Sequence, residues 1–309
     1  TTKRNAAALI AEMNAGDNDS VTTLEISNVL VVGGEIKSTY GRGNAGGLIG
    51  YTGANTVVTN CAANTKVIAN GPRLKIDYAG DAGGLIGEIK AVNHTISIAN
   101  CYTGGQTVNG KYKFDRQTDF NVYGVDTAGG LIGKLNRGAN TSIKDCYSTC
   151  SVYIADDENG LDYGCAGGLI GKQREGNSAY ESCYATGLVD GDIGSMVGTF
   201  IGKCTLSDTF KDCYVLDGIS ERPVSASNYK NTAEIKTHKY DNMPKNSGNV
   251  TTHPTDKKLK DKVYPFVTVN TVGRLSSDDV NSTGVHYGDW QEPEEKEQIG
   301  DRSFAYCEK

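Results

Sequence analysis

Aromatic side chains beside charged ones mark the parts of this sequence best suited to chemistry. They occur in two polar stretches, residues 109–127 and 153–165. Aromatic rings can stack on sugars or anchor a protein partner, and nearby charged groups orient such a ligand. The same rings could instead pack these stretches onto the rest of the molecule. The candidate ligand-binding residues are Tyr112, Phe114, Arg116, Asp119, Phe120, Tyr123, Tyr153, Asp157 and Tyr163.

Neighbouring carboxylates suggest a second kind of chemistry. Asp156, Asp157 and Glu158 are consecutive, and Asp115 lies close to Asp119. Glycoside hydrolysis uses two carboxylates about 5–10 Å apart across the scissile bond. Acidic residues in a polar stretch are more often simply solvated. The sequence therefore predicts no catalytic residue, and a carbohydrate-active enzyme, a polysaccharide lyase or hydrolase, is the alternative.

Several other kinds of site are excluded by missing or misplaced motifs. His-Glu-x-x-His and Gly-x-Ser-x-Gly are absent, and neither the four histidines nor the nine cysteines have metal-ligand spacing. A Gly-x-Gly-x-x-Gly match at residues 41–46 leads into a repeated strand rather than a helix, so it predicts no dinucleotide site. We expect no metal and no cofactor.

Charge and hydropathy exclude two classes of partner. The net charge is −6, and no basic stripe with interleaved aromatic residues is present, so nucleic acid is not an expected partner. The longest apolar runs, such as residues 29–32, are far too short to span a bilayer. We therefore expect no membrane insertion of this segment.

A repeated hexapeptide determines the elements that position the candidate residues. Each copy is followed, after a polar gap, by an apolar residue, then Asn, Asp or Ser, then Cys and usually Tyr. Self-similarity of this kind is typical of a solenoid. The hexapeptide Ala-Gly-Gly-Leu-Ile-Gly occupies residues 45–50, 82–87, 128–133 and 166–171, with a degenerate copy at 197–202.

The residues around each cysteine predict how a repeat folds. Apolar or small residues at even offsets after the cysteine are typical of a strand with one buried face. The preceding Asn, Asp or Ser tolerates the left-handed conformation and predicts a bend between two strands. The cysteines should therefore be buried and reduced, and the tyrosines that follow them should point outward. The aligned residues are Val29, Cys61, Cys101, Cys146, Cys183 and Cys213, and the tyrosines are Tyr102, Tyr147, Tyr184 and Tyr214.

Three short strands per repeat, without helical spacing, predict an all-β protein. The expected fold is a parallel β-helix of about six coils, with the right-handed form favoured. Coils stack about 4.8 Å apart, so equivalent residues form columns. Alternation alone does not decide whether Leu or Ile of the hexapeptide faces the core. A valine column, with Val108 in the third coil, precedes the segments of variable length, which should leave one corner as a binding face.

The two ends of the chain differ from the repeat. Residues 5–14 combine Ala, Leu, Ile and Met between an N-cap at Asn5 and a stop at Gly16, which predicts a capping helix. The predicted domains are a helical cap at 1–20, the β-helix at 21–220 and an irregular C-terminal segment at 221–309.

The repeat resembles a known family. Gly-Gly-Leu-Ile-Gly, followed by Ile-x-Asn-Cys-Tyr and a valine strand, is similar to the GLUG repeat of bacterial cell-surface proteins, over about residues 26–219. Such repeats occur in adhesins, in pilin-like proteins of Firmicutes and beside the catalytic domain of immunoglobulin A peptidases. The resemblance implies an extracellular, wall-associated location and no activity of the repeat itself. Two features depart from the family pattern, Val29 in place of the first Cys and the degenerate fifth hexapeptide.

The sequence thus predicts a non-catalytic adhesin or structural module of a bacterial cell surface. Its expected ligand is a host glycan or a surface protein, bound by the aromatic stretches. The segment is expected to belong to a longer surface protein.

Overall fold

The computed structural model describes most of the repeat region. Beyond it, the short strands Asn246–Ser247, Val250–Thr251, Phe266–Val267, Asp289–Gln291 and Tyr306–Glu308 are described. The described ranges before these are 4–14, 23–72, 79–90, 94–104, 120–136, 139–155, 164–174, 176–185, 187–192, 195–204, 208–216 and 235–238.

Six coils of short parallel strands form the described part of the repeat region, as a parallel β-helix requires. Each coil contributes to four sheets, which we name A to D in chain order. Strands of sheet A are Ala6–Ala7, Ala45–Gly46, Asp81–Gly83, Thr127–Gly129, Cys165–Gly167 and Met196–Gly198. Strands of sheet B are Ile10–Met13, Ile49–Thr52, Ile86–Ile89, Ile132–Leu135, Ile170–Gln173 and Ile201–Lys203.

The other two sheets complete each coil on either side of the predicted bend. Sheet C contains Thr23–Ser27, Asn55–Thr59, Thr95–Ala99, Ala139–Lys144, Gly176–Glu181 and Thr209–Lys211. Sheet D contains Leu30–Ser38, Ala62–Ala69, Tyr102–Thr103, Val122–Gly124, Tyr147–Ser148, Val152–Ile154, Tyr184–Ala185, Val189–Gly191, Cys213–Leu216 and Ile235–His238. The prediction of an all-β parallel solenoid with about six coils is confirmed.

A left-handed residue joins sheet C to sheet D in every coil. Its φ lies between 50° and 59°, so the predicted bend is confirmed. Asn and Asp adopt this conformation more readily than other residues with a Cβ atom. The six bend residues are Asn28, Asn60, Asn100, Asp145, Ser182 and Asp212.

The hexapeptide folds as a corner between sheets A and B. Its Ala-Gly pair ends the strand of sheet A, the next Gly-Leu pair forms a bend, and Ile begins the strand of sheet B. Because the bend interrupts the alternation, both Leu131 and Ile132 are fully buried, as are their counterparts in neighbouring coils. The structure thus answers the question that alternation left open.

The second glycine of the hexapeptide lies where the corner meets sheet D. A Cβ at Gly84 would lie 3.1 Å from Thr103 Cγ2, and one at Gly168 would lie 2.9 Å from Ala185 Cβ. This close contact between the hexapeptide corner and sheet D, which we call the waist, separates the hydrophobic core into two lobes. Isoleucines of sheet B and the cysteine column fill the larger lobe, and alanines of sheet A pack on valines of sheet D in the smaller one.

The cysteine column is fully buried, and its five thiols are free. Each thiol lies 3.1–3.5 Å from the carbonyl oxygen two residues earlier, just before the bend. Burial raises the pKa of Cys146 and of Cys213, which keeps these groups as unreactive thiols. A small apolar side chain with a weak S–H donor suits this position.

Alkylation should reveal these thiols only in the unfolded protein. Under native conditions we expect iodoacetamide to leave Cys61, Cys101, Cys146, Cys183 and Cys213 unlabelled, because they are inaccessible. In denaturant without reductant, mass spectrometry should find all five alkylated. A peptide in which Cys101 and Cys146 are joined by a disulfide would contradict this prediction.

The prediction of an N-terminal capping helix is wrong. Ala6–Ala7 pairs with Ala45–Gly46, and Ile10–Met13 pairs with Ile49–Thr52, so residues 6–11 are a further copy of the hexapeptide. A Cβ at Gly50 would lie 2.6 Å from the oxygen of Ala11 in the preceding coil. Ala11 lies in the first of the described coils and is exposed. A methyl group therefore fits at this position, which is glycine in the later coils.

The tyrosine column that was predicted to point outward is buried rather than open to solvent. Tyr102, Tyr147 and Tyr184 are buried, and their rings stack with centroids 5.0 and 4.8 Å apart and planes within 5°. Register brings equivalent tyrosines of neighbouring coils together, so each ring covers its neighbour's face. Stacking of this kind is favourable for aromatic side chains.

The longest insert lies before the valine column, not after it. Val122, rather than Val108, is in register with Val67 and Val152. The inserts therefore do not all leave one corner of the coil. Residues 109–127 therefore include the core strand Val122–Gly124.

The β-helix extends beyond the repeat. Ile235–His238 pairs in parallel with Cys213–Leu216, and Ile235 is buried. The predicted domain boundaries at residues 20 and 220 otherwise stay predictions.

Candidate functional site

Three of the predicted site residues come together on sheet D. Tyr123 and Tyr153 are register neighbours, and the valines beside them, Val122 and Val152, are fully buried. Alternation along the strand therefore directs the two tyrosines away from the core. Their ring centroids are 5.8 Å apart with planes inclined by 18°, and Phe120 lies 4.6 Å from Tyr153.

Phe120 and Asp192 hold this aromatic pair in place. Phe120 is only 3% exposed, so its main contribution is packing against Tyr153 rather than presenting a free ring face. The hydroxyl of Tyr153 donates a hydrogen bond of 2.5 Å to Asp192 Oδ1. A ring fixed in this way loses little conformational freedom when it binds a ligand.

A groove of about 350 Å³ lies beside Tyr123 on the same face. Residues of three consecutive coils line it, because Lys37 is in register with Ile68, and Ile68 with Tyr123. Its polar groups are two ammonium groups, one carboxylate, one amide and one phenol. The lining residues are Glu35, Lys37, Lys66, Ile68, Asn70, Phe120 and Tyr123, and we call this site the aromatic groove.

Opposite charges are neighbours in the aromatic groove. Glu35 is the register partner of Lys66, while Lys37 lies two residues further along the strand of Glu35, on the same face. Burial raises the pKa of Tyr123 and of Tyr153, and the carboxylate of Asp192 raises both further. Both phenols therefore stay neutral near pH 7. Uncharged rings beside exposed Lys37 and Asn70 can stack on a ligand and hydrogen-bond its polar groups.

The remaining predicted site residues lie outside the described residues. These are Tyr112, Phe114, Arg116 and Asp119 in the third-coil insert, and Asp157 and Tyr163 in the fourth-coil insert.

Sequence reasoning missed the polar side of the groove. Glu35, Lys37 and Lys66 flank the inward column formed by Ile36 and Val67. Because side chains alternate along a strand, this inward column places Glu35, Lys37 and Lys66 on the outer face of the sheet. Asp192 had no such signal, because only the fold brings it to Tyr153.

Two further properties follow from the described part of the chain. It contains no helix that is long and apolar enough to cross a bilayer. Within the same residues, no three His, Cys, Asp or Glu side chains are arranged to hold a metal ion.

Comparisons with known proteins find a distant structural similarity. No family model matches this chain, and no curated protein does. Among solved structures, it is similar to the crystal structure of a proposed immunoglobulin A1 protease from Bacteroides ovatus, with 16% sequence identity and a TM-score of 0.44. The match covers 87% of this chain and 73% of the other.

Proposed function

We propose that this chain is a non-catalytic, extracellular adhesin module of a bacterial cell surface, and that its aromatic groove binds a glycan. The observation that carries the proposal is the Tyr123–Tyr153 pair beside exposed polar groups in a groove of about 350 Å³. Sugars have apolar faces and polar edges, which suit stacked rings next to hydrogen-bonding groups.

The rigid floor of the groove supports glycan binding. Its floor is sheet D, whose strands are fixed by parallel pairing to neighbouring coils on both sides. A rigid platform presents aromatic side chains at low entropic cost. The location at the cell surface rests on the resemblance of the repeat to the GLUG family.

Composition of the groove favours binding over hydrolysis. Among the described residues that line it, Glu35 is the one carboxylate, whereas hydrolysis of a glycosidic bond uses a pair. Lys37 and Lys66 bring positive charge, which suits a saccharide that carries acidic groups.

A glycan array probed with the purified chain tests this function. We expect selective binding to a small set of saccharides, with no release of reducing ends when the bound saccharide is incubated with the protein. An array without selective signal would contradict glycan binding. Time-dependent cleavage of a bound saccharide would contradict the non-catalytic assignment.

A further inference from the structure

A buried cluster of charged side chains lies away from the aromatic groove, between sheets A and B. Lys134 extends from sheet B of the fourth coil, and Asp81 begins the sheet A strand of the third. Asp126 directly precedes the sheet A strand Thr127–Gly129. The side chains of Lys134, Asp81 and Asp126 are only 4%, 3% and 1% exposed.

Close contacts join these groups. Lys134 Nζ donates a hydrogen bond of 2.8 Å to Asp126 Oδ2 and lies 3.5 Å from Asp81 Oδ2. Thr127 Oγ1 donates a hydrogen bond of 2.7 Å to Asp81 Oδ1. The amine nitrogen thus faces one carboxyl group whose other oxygen is already polarised by a hydroxyl.

The charges of the cluster do not balance if every acid is ionised. Glu88 is also close, held by Asn44 at 2.8 Å and by Asn136 at 3.0 Å. The pKa of Asp81 is raised to about 8, mainly by burial; Asp126 and Glu88 act in the same direction, while Lys134 opposes them. Near pH 7, Asp81 is therefore a neutral carboxylic acid.

Lys134 keeps its proton in the resting state. Burial lowers the pKa of Lys134, but the surrounding carboxylates, with Asp126 in direct contact, raise it overall. Asp126, at 2.8 Å, is the group placed to accept that proton. A neutral acid, a protonated amine and a carboxylate base are therefore held together away from water.

We propose that Lys134 and Asp81 condense to an intramolecular amide bond. This modification is independent of the proposed glycan binding. Water exclusion favours the reaction, because burial keeps water from the acyl carbon.

The proposed step balances without any external reagent. Asp126 takes a proton from the Lys134 ammonium, and the lone pair of Nζ attacks Cγ of Asp81. The Thr127 hydroxyl stabilises negative charge on Asp81 Oδ1 as the tetrahedral intermediate forms. The C–Oδ2 bond then breaks, and Oδ2 leaves as water with one proton from its own hydroxyl and one delivered through Asp126 from the attacking nitrogen. Asp126 keeps the second proton that the nitrogen releases.

The bond would join consecutive coils outside the hydrophobic core. It closes a covalent loop over residues 81–134, which lowers the entropy of the unfolded chain as other cross-links do.

Mass spectrometry of the parent protein tests the proposal. We expect the intact, denatured chain to be lighter than its sequence mass by one water molecule. Trypsin should yield residues 76–90 joined to residues 117–137, because a modified Lys134 is not cleaved. An intact mass equal to the sequence mass would overturn the proposal.

Peptide mapping excludes other ways of losing water. Asp126 and Lys134 share one tryptic peptide, so a bond between them would give a dehydrated linear peptide 117–137. Cyclisation of an aspartate elsewhere to a succinimide would also leave a linear peptide. Either result, without the branched peptide, would overturn the Lys134–Asp81 assignment.

Matched lysine variants complete the test. Lys134→Arg and Asp126→Asn should restore the full sequence mass, because they remove the nucleophile and the base. Lys172 is the control, because it is in register with Lys134 in the next coil. Relative to Lys172, Thr127 stands where Asp81 stands relative to Lys134, and Gly164 stands in place of Asp126. Lys172→Arg should keep the loss of one water. Retention of that loss in Lys134→Arg would contradict the proposal.

Discussion

Leu131→Asp is expected to abolish folding of the β-helix, whereas Leu9→Asp should be tolerated. Both leucines hold the same position of the hexapeptide, but Leu131 is fully buried and Leu9 is 51% exposed. A carboxylate at Leu131 would be desolvated without a partner. We expect a loss of about 4 kcal/mol or more for Leu131→Asp and less than about 1 kcal/mol for Leu9→Asp.

Circular dichroism and thermal melting of the two variants measure this difference. The leucine at position 9 controls for the change in residue type, since both substitutions replace the same side chain. A melting temperature for Leu131→Asp close to that of the parent would show that the leucine column does not face the core.

Gly130→Ala is expected to destabilise the protein by about 3 kcal/mol or more. A Cβ at Gly130 would overlap the carbonyl oxygen of Gly168 in the next coil and the side chain of Ser148, with 2.8 Å to Ser148 Cβ. The carbonyl cannot move away without breaking the pairing between coils, so relaxation is limited.

Gly104→Ala is the matched control for this substitution. Among the described residues, no atom would lie closer than 3.7 Å to a Cβ there, so the substitution should change the free energy of unfolding by less than about 1 kcal/mol. Urea unfolding of both variants provides the comparison. Equal midpoints for the two would show that the glycine of the waist is not required by packing.

The repeat allowed much of the fold to be predicted, because the same residue pattern recurs in each coil and folds in the same way. The residue before Cys101 could be recognised as a bend because Asn tolerates a positive φ, and the structure gives it 53°. The N-terminal coil was misread because Ala6–Ala11 has high helix propensity. Pairing with Ala45–Gly46 and Ile49–Thr52 overrides that propensity.

The candidate site was only partly predictable, because it depends on register. Tyr123 and Tyr153 could be chosen as aromatic residues near the inserts. That Lys37 lies in their column follows from pairing across four coils, which the insert between Thr103 and Val122 conceals in the sequence. The Lys134–Asp81 contact likewise joins two sheets in consecutive coils and has no local signature.

The affinity of groove variants for the saccharide selected on the array is the most direct test of the proposed site. By isothermal titration calorimetry, Tyr123→Ala should weaken binding at least about tenfold, a loss of about 1.4 kcal/mol, because the ring that lines the groove is removed. Tyr123→Phe should bind within about threefold of the parent, since it keeps the ring. Lys37→Ala, at an exposed position, should weaken binding without changing the melting temperature. Parent-like affinity in both Tyr123→Ala and Lys37→Ala would contradict the assignment of glycan binding to the aromatic groove.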